Sequence, residues 1–152
     1  MYSPLPHQFA TAAPDLDASL FEDVAPKRLI AWLVDTLLVA LLTLLIVPFT
    51  AFTAIFFLPA LFLTVGMVYR TLSIARHSAT PGMRLMAIEL RTHRGTWFDL
   101  PLAFWHTLGY TLSMAFVLPQ VISVALMALG PRGQGLTDLI LGSVMVNRIA
   151  RH

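Results

Sequence analysis

Apolar residues run almost unbroken from Leu29 to Val47, with Lys27-Arg28 before them and Pro48 after. A helix of about 20 such residues crosses the roughly 30 Å hydrocarbon core of a bilayer. No charged residue occurs between Leu37 and Tyr69, a run that would span about 50 Å as one helix, too long for an ordinary passage. Pro48-Phe49-Thr50 therefore predicts a turn, with helices near 28–47 and 50–70. Pro59 falls inside the second and is expected to kink it, because proline removes a backbone hydrogen bond and crowds the preceding turn. The hydroxyls of Thr53 and Thr64 are near enough to satisfy the freed group. A second almost uncharged block, residues 100–130, reads as one long tilted helix or as two shorter helices broken at Pro119.

Between the two blocks the chain turns polar. Thr80-Pro81-Gly82 is a turn signal, and residues 86–91, MAIELR, partly alternate as a half-exposed strand would. His93-Arg94-Gly95 is expected to turn this strand back through Thr96-Trp97-Phe98, with Trp97 at headgroup depth. After residue 130 come a glycine-rich turn (130–135), a short amphipathic piece (136–141) and a strand-like SVMV (143–146). Residues 1–26 carry Asp15, Asp17, Glu22, Asp23 and four prolines but no Lys or Arg. They show neither the basic start nor the cleavage site of a secretory signal. They read as a flexible tail, with Leu16, Leu20, Phe21 and Val24 spaced to allow a short interfacial helix.

Composition decides the class. The chain is 57% hydrophobic and only 12% charged, against about half and a quarter in soluble domains, so an integral membrane protein is expected. Its 152 residues suit one domain, residues 27–147, between tails at 1–26 and 148–152. Without cysteine there are no disulfides, thiolate metal sites or cysteine nucleophiles. All ten bases lie at 27–28, 70–94 or 132–151, and such residues concentrate in short cytoplasmic loops. If these clusters share one face, each apolar block must leave and return. The expectation is an all-α membrane fold of two transmembrane hairpins, four passages, with both termini and a small β element in the cytoplasm. The halves of the second block are short for full spans. A re-entrant hairpin or a three-helix arrangement is therefore the alternative. If the scheme holds, SVMV lies beside MAIEL and can pair with it.

Three motifs in order carry a family resemblance. Arg28, Ala31 and Asp35 share a helix face; Thr80-Pro81-Gly82 is followed by Arg84-Leu85; Gln134-Gly135-Leu136-Thr137-Asp138 precedes Gly142-Ser143. Over residues 26–147 the chain resembles the RDD family of small membrane proteins, named for an Arg and two Asp residues. Met83 stands where the family has lysine, Thr137 where it has histidine, and His106 corresponds to its third-segment arginine. The resemblance implies a multi-pass protein of the bacterial cytoplasmic (inner) membrane. It also carries the transport or cation/proton exchange role suggested for some members.

The single carboxylate within the first apolar run, Asp35, needs a partner, since a charge near the bilayer centre costs about 2.5–3.5 kcal/mol on insertion scales. Arg28 is a poor one, because helical side chains lean toward the N-terminus and Arg28 should point to the headgroups. If the first and third helices enter from the same face, Asp35 and His106 lie about 10 and 9 Å deep. The expected polar network therefore pairs Asp35 with His106, and Arg28 with Asp138 nearer the surface. Arg76, Arg84, Arg91 and Arg94 are expected to meet anionic lipid headgroups in preference to nucleic acid.

Two functional classes follow. The expected one is structural, the chain being an accessory or assembly subunit docking on a larger membrane complex; the alternative is an oligomer that transports or exchanges ions through Asp35 and His106. An enzyme is not expected: the sequence shows no paired carboxylates, no nucleophile with a base and no phosphate-cradling loop. No cofactor is called for, and the histidines lack metal-ligand spacing.

Overall fold

The computed structural model describes residues 19–148. Helix α1 (Val24–Ile46) leads through two 3₁₀ turns (Val47–Thr50 and Thr53–Phe57) into α2 (Leu58–His77). A short α3 (Pro81–Leu85) and strand β1 (Ile88–Thr92) follow. Then come α4 (Leu100–Ala115), α5 (Val117–Leu129), a short α6 (Leu136–Leu141) and strand β2 (Ser143–Asn147). The α1 and α2 segments are long and apolar enough to cross a membrane; α4 and α5 qualify only together, as a pair bent by 115°. Most large apolar side chains of α1 and α2 point outward, including Leu33, Leu37, Leu41, Leu44 and Leu63. In water such a surface would be costly; hydrocarbon accommodates it.

Prolines set the helix starts. Pro48, Pro59, Pro81 and Pro101 each occupy the first or second position of a helix or 3₁₀ turn, where the missing N–H has no intrahelical acceptor anyway. The kink expected at Pro59 does not form. The helix begins there instead, eight residues later than the sequence pattern suggested, and runs seven residues further, to His77. Pro119 acts one turn upstream of itself. Its ring would collide with the carbonyl of Ala115 in a continuous helix; α4 ends at that residue, Phe116 is extended, and α5 starts with Pro119 in its first turn. Ser113 Oγ donates to Gln120 Oε1 across the bend at 2.8 Å.

The strands pair antiparallel, Leu90 opposite Met145 and Arg91 opposite Val144, as expected for MAIEL and SVMV. The turn expected at residues 93–95 forms, with Thr92 N donating to Thr96 O at 3.0 Å, but no strand continues through 97–98 because Ser78 occupies that edge of β1: Leu90 N donates to Ser78 O at 2.7 Å. Ser78 Oγ also takes the N–H of Phe98, at 2.7 Å, and Phe98 is buried. One sheet face presents Ile88, Leu90 and Met145 to Val24, Ala31, Ile74 and Ala103. The other is covered by Leu20 and Phe21 against Val144 and Val146, so the chain from residue 19 docks on β2 and is no free tail. The remainder of the expected N-terminal tail lies outside the described residues. Lys27 Nζ donates to Asn147 Oδ1 at 2.7 Å and Arg148 N to Ala87 O at 2.7 Å. These bonds join the first, middle and last basic segments at one end of the helix bundle.

Leu90 is fully buried between the sheet and the helices. Leu90→Ala is expected to cost about 2–5 kcal/mol, read as a lowered unfolding temperature in mild detergent; an unchanged transition would show that the sheet is not part of the core.

Candidate functional site

Asp35 lies on the buried stripe of α1 with Ala31, Val39 and Thr43. Its side chain is wholly enclosed and its oxygens are crowded with donors. Oδ1 accepts from Tyr69 Oη at 2.8 Å and from the Gly82 N–H at 2.9 Å; Oδ2 accepts from Thr80 Oγ1. Arg70 Nη1 stands 3.9 Å from Oδ2 and its guanidinium lies over the Tyr110 ring, 4.4 Å from the centroid. Thr80 caps α3, accepting from Met83 N at 3.3 Å, so the threonine-proline-glycine turn exists to deliver a hydroxyl and an amide to one carboxylate. Gly82 has no alternative: a Cβ there would be driven into the Ala31 carbonyl and the Asp35 carboxylate.

Asp138 forms a second centre. It is the third residue of α6 and accepts from its own Gly135 N–H at 3.0 Å. Arg28 Nη1 reaches the same oxygen at 2.7 Å while also donating to Gly133 O. The other oxygen accepts from Ser143 Oγ at 3.0 Å and lies 2.8 Å from His106 Nε2. Burial by itself would raise the carboxyl's pKa; the Arg28 charge and the His106 bond outweigh it and hold Asp138 below the usual carboxylate range. An ionised carboxylate only accepts, so Nε2 carries the proton in this contact. Phe98 packs edge-on against the imidazole at 5.6 Å.

The expected pairing is thus half right. Arg28 meets Asp138, turned into the protein and away from the headgroups; His106 also meets Asp138. Asp35 is satisfied by Tyr69, Thr80, Gly82 and Arg70, not by His106. The error came from the helix limits. With α2 placed at 50–70, Arg70 sat at the membrane surface; with α2 at 58–77 it lies two turns inside, facing Asp35. Arg91 is not a headgroup contact either: it is buried, paired with Glu89 and stacked on Trp97, 5.0 Å from the ring centroid. Trp97 is correspondingly half-buried. Arg76, Arg84 and Arg94 are exposed.

Both centres border one cavity of about 540 Å³. It exists because α2 packs against α1 and against α4, whereas α1 and α4 touch little. Trp32 Nε1 bridges the gap by donating to Tyr110 Oη at 2.7 Å. Asp35, Arg70, His106, Thr107 and Tyr110 contribute polar wall, while Leu29, Val124 and Met127 contribute apolar wall.

The RDD family model matches residues 24–142, most of the chain, with both Asp35 and Asp138 inside the match. The chain belongs to the RDD family of membrane proteins. Nothing among curated proteins or solved structures matches it. In this RDD chain the first motif supplies Arg28 to one centre and Asp35 to the other, the second motif closes over Asp35, and the third holds Asp138. Sequence reasoning missed Tyr69, Arg70 and Tyr110. The available signal was Arg70 itself, the first charge after a long neutral run.

Two substitutions test the centres. Gly82→Ala is expected to destabilise by about 1–3 kcal/mol through overpacking. Asp138→Asn should cost about 3–5 kcal/mol near neutral pH by stranding Arg28. Because the folded carboxyl is depressed, its contribution is present above the unfolded value of about 4 and lost as pH falls through the lower folded value. Thermal unfolding in detergent should therefore show the gap between wild type and Asp138→Asn closing only well below pH ~4.

Proposed function

We propose that this RDD chain is a non-enzymatic ligand-binding protein of the bacterial cytoplasmic membrane, acting in transport, with its buried ion pairs serving as scaffold. The observation that carries this reading is the contrast between the carboxylates and the cavity. Asp35 already accepts three hydrogen bonds and Asp138 three besides the His106 contact. A carboxylate that passes protons or cations must exchange partners during each cycle; these are locked by short helices and a sheet. An exchanger built on Asp35 and His106 is the weaker transport reading for that reason. The cavity volume lies inside the roughly 300–1,000 Å³ range of small-molecule sites, which share its mostly apolar walls and few polar groups.

A second reading is an accessory subunit docking on a larger membrane complex or on a second copy. The connection between α1 and α2 favours it: Phe49 and Phe56 are each 84% exposed, Phe57 70% and Phe52 60%, a dense aromatic surface at one end of the hairpin. In either reading the sheet and both termini face the cytoplasm. There Arg76, Arg84 and Arg94 meet anionic headgroups at about 1 kcal/mol each.

Native mass spectrometry after mild extraction is expected to find a small molecule bound to the chain, with proton and cation flux in liposomes unaffected by Asp35→Asn. A chain without ligand whose proton flux is abolished by Asp35→Asn would reverse the order of the transport readings; co-purification of a large complex would favour docking. The cysteine-free chain also permits single-site labelling. Phe56→Cys should react with an impermeant maleimide on spheroplasts, and Arg94→Cys only after permeabilisation; the opposite pattern would invert the orientation.

A further inference from the structure

Arg70 is 8% exposed, yet no hydrogen bond joins its guanidinium to a described residue. The Asp35 oxygen at 3.9 Å lies beyond hydrogen-bond reach. A guanidinium offers five N–H donors, and a buried one left with an ion pair at that separation and a ring stack retains unmet capacity. Thr107, on the neighbouring helix and 1% exposed, has a buried hydroxyl that makes no hydrogen bond to a described residue. Arg70 and Thr107 both belong to the wall of the 540 Å³ cavity. A hydroxyl and a guanidinium there favour a ligand that accepts hydrogen bonds and carries negative charge. A cation would find Asp35 and Asp138 already saturated.

The rest of the cavity has a different character. Its wall includes Met127 on α5, and its outer residues Leu29 and Val124 are 60% and 52% exposed. These two lie on α1 and α5, which make little direct contact, because the 115° bend at Phe116 turns α5 out of line with α4. An opening rimmed by leucine and valine suits hydrocarbon better than water.

We infer that the cavity binds a single-chain amphiphile with a compact anionic head, carboxylate or phosphate, which enters sideways from the bilayer between α1 and α5. The head sits on Arg70 and Thr107; the chain runs past Met127 and Val124 to the opening. This rests on the ligand-binding reading above and specifies its ligand class.

The test uses the full chain in a non-ionic detergent and compares palmitate, lysophosphatidate and the uncharged methyl palmitate by native mass spectrometry and competition. At least one anionic probe is expected to bind about tenfold or more tightly than methyl palmitate, the scale of one charge-assisted hydrogen bond, and whichever anion binds better identifies the head. Arg70→Gln should abolish that preference and Thr107→Val should reduce it. Val124→Trp, at the opening, should weaken all three probes without lowering the unfolding temperature. Thr107→Val and Val124→Trp leave the Asp35 centre intact and keep the test decisive if Arg70→Gln does not fold. Equal binding of acid and ester would overturn the anionic head while leaving an amphiphile site; no binding of any probe would overturn the amphiphile, and the ligand-binding reading falls with it only if the chain extracted under mild conditions also carries no small molecule.

Discussion

A carboxylate enclosed among apolar helices must be met by donors on every side, and Asp35 and Asp138 are both so enclosed. Removing an ion from water costs several kcal/mol even after relaxation, and only close, complementary hydrogen bonds recover it. Much of the irregular structure answers that demand. Helix α3 has five residues and α6 has six. Neither would persist alone in water; α3 is held where its Gly82 N–H reaches Asp35, and α6 carries Asp138, which accepts from the N-cap Gly135 N–H and is held by Arg28 and His106. The centres follow one recipe: an Asp, a backbone amide from a short helix, a Ser or Thr hydroxyl, and an Arg from a long helix. Helix α1 gives its acid to one and its base to the other, which makes it the spine of the fold.

The same arrangement explains where the structure is open. Helix α2 is bound to α1 through Tyr69 and Arg70 at Asp35 and packs closely along α4. Helices α1 and α4 are tied by the Trp32–Tyr110 hydrogen bond and, through Asp138, by Arg28 and His106, but pack little against each other, so a space remains beside the polar centres. The bend at Phe116 prevents α5 from filling it. Cavity and ion pairs are thus two results of one packing pattern: the pairs hold helices at fixed separations, and the separations leave room.

Several features are legible in the sequence. The membrane class, the first span and the pairing of two distant strands followed from residue type and order; residues 136–141 read as an amphipathic piece, and the 100–130 block read equally as one helix or two. The strand pairing came from charge placement, since gathering the basic clusters at one end brings residues 88–92 and 143–147 within reach. The start of α2 was misplaced because an uncharged apolar run contains no internal marker of where helix begins. Both Pro59 as a kink and Pro59 as a start agree with the sequence. That shift places Arg70 in the core, where it and Tyr69 of α2, rather than His106 of α4, face Asp35.

By itself, the amino-acid order determined that this chain lives in a membrane, that its first long helix lies near residues 28–47, and that Asp35 requires company, because hydropathy, proline chemistry and the cost of a buried charge are local properties. Only the tertiary structure decided which groups provide that company. Tyr69, Thr80 and Gly82 lie 34, 45 and 47 residues from Asp35 along the chain. Whether a hydroxyl, an amide and a phenol converge within 3 Å of one oxygen pair depends on helix phase and crossing, which no single segment encodes.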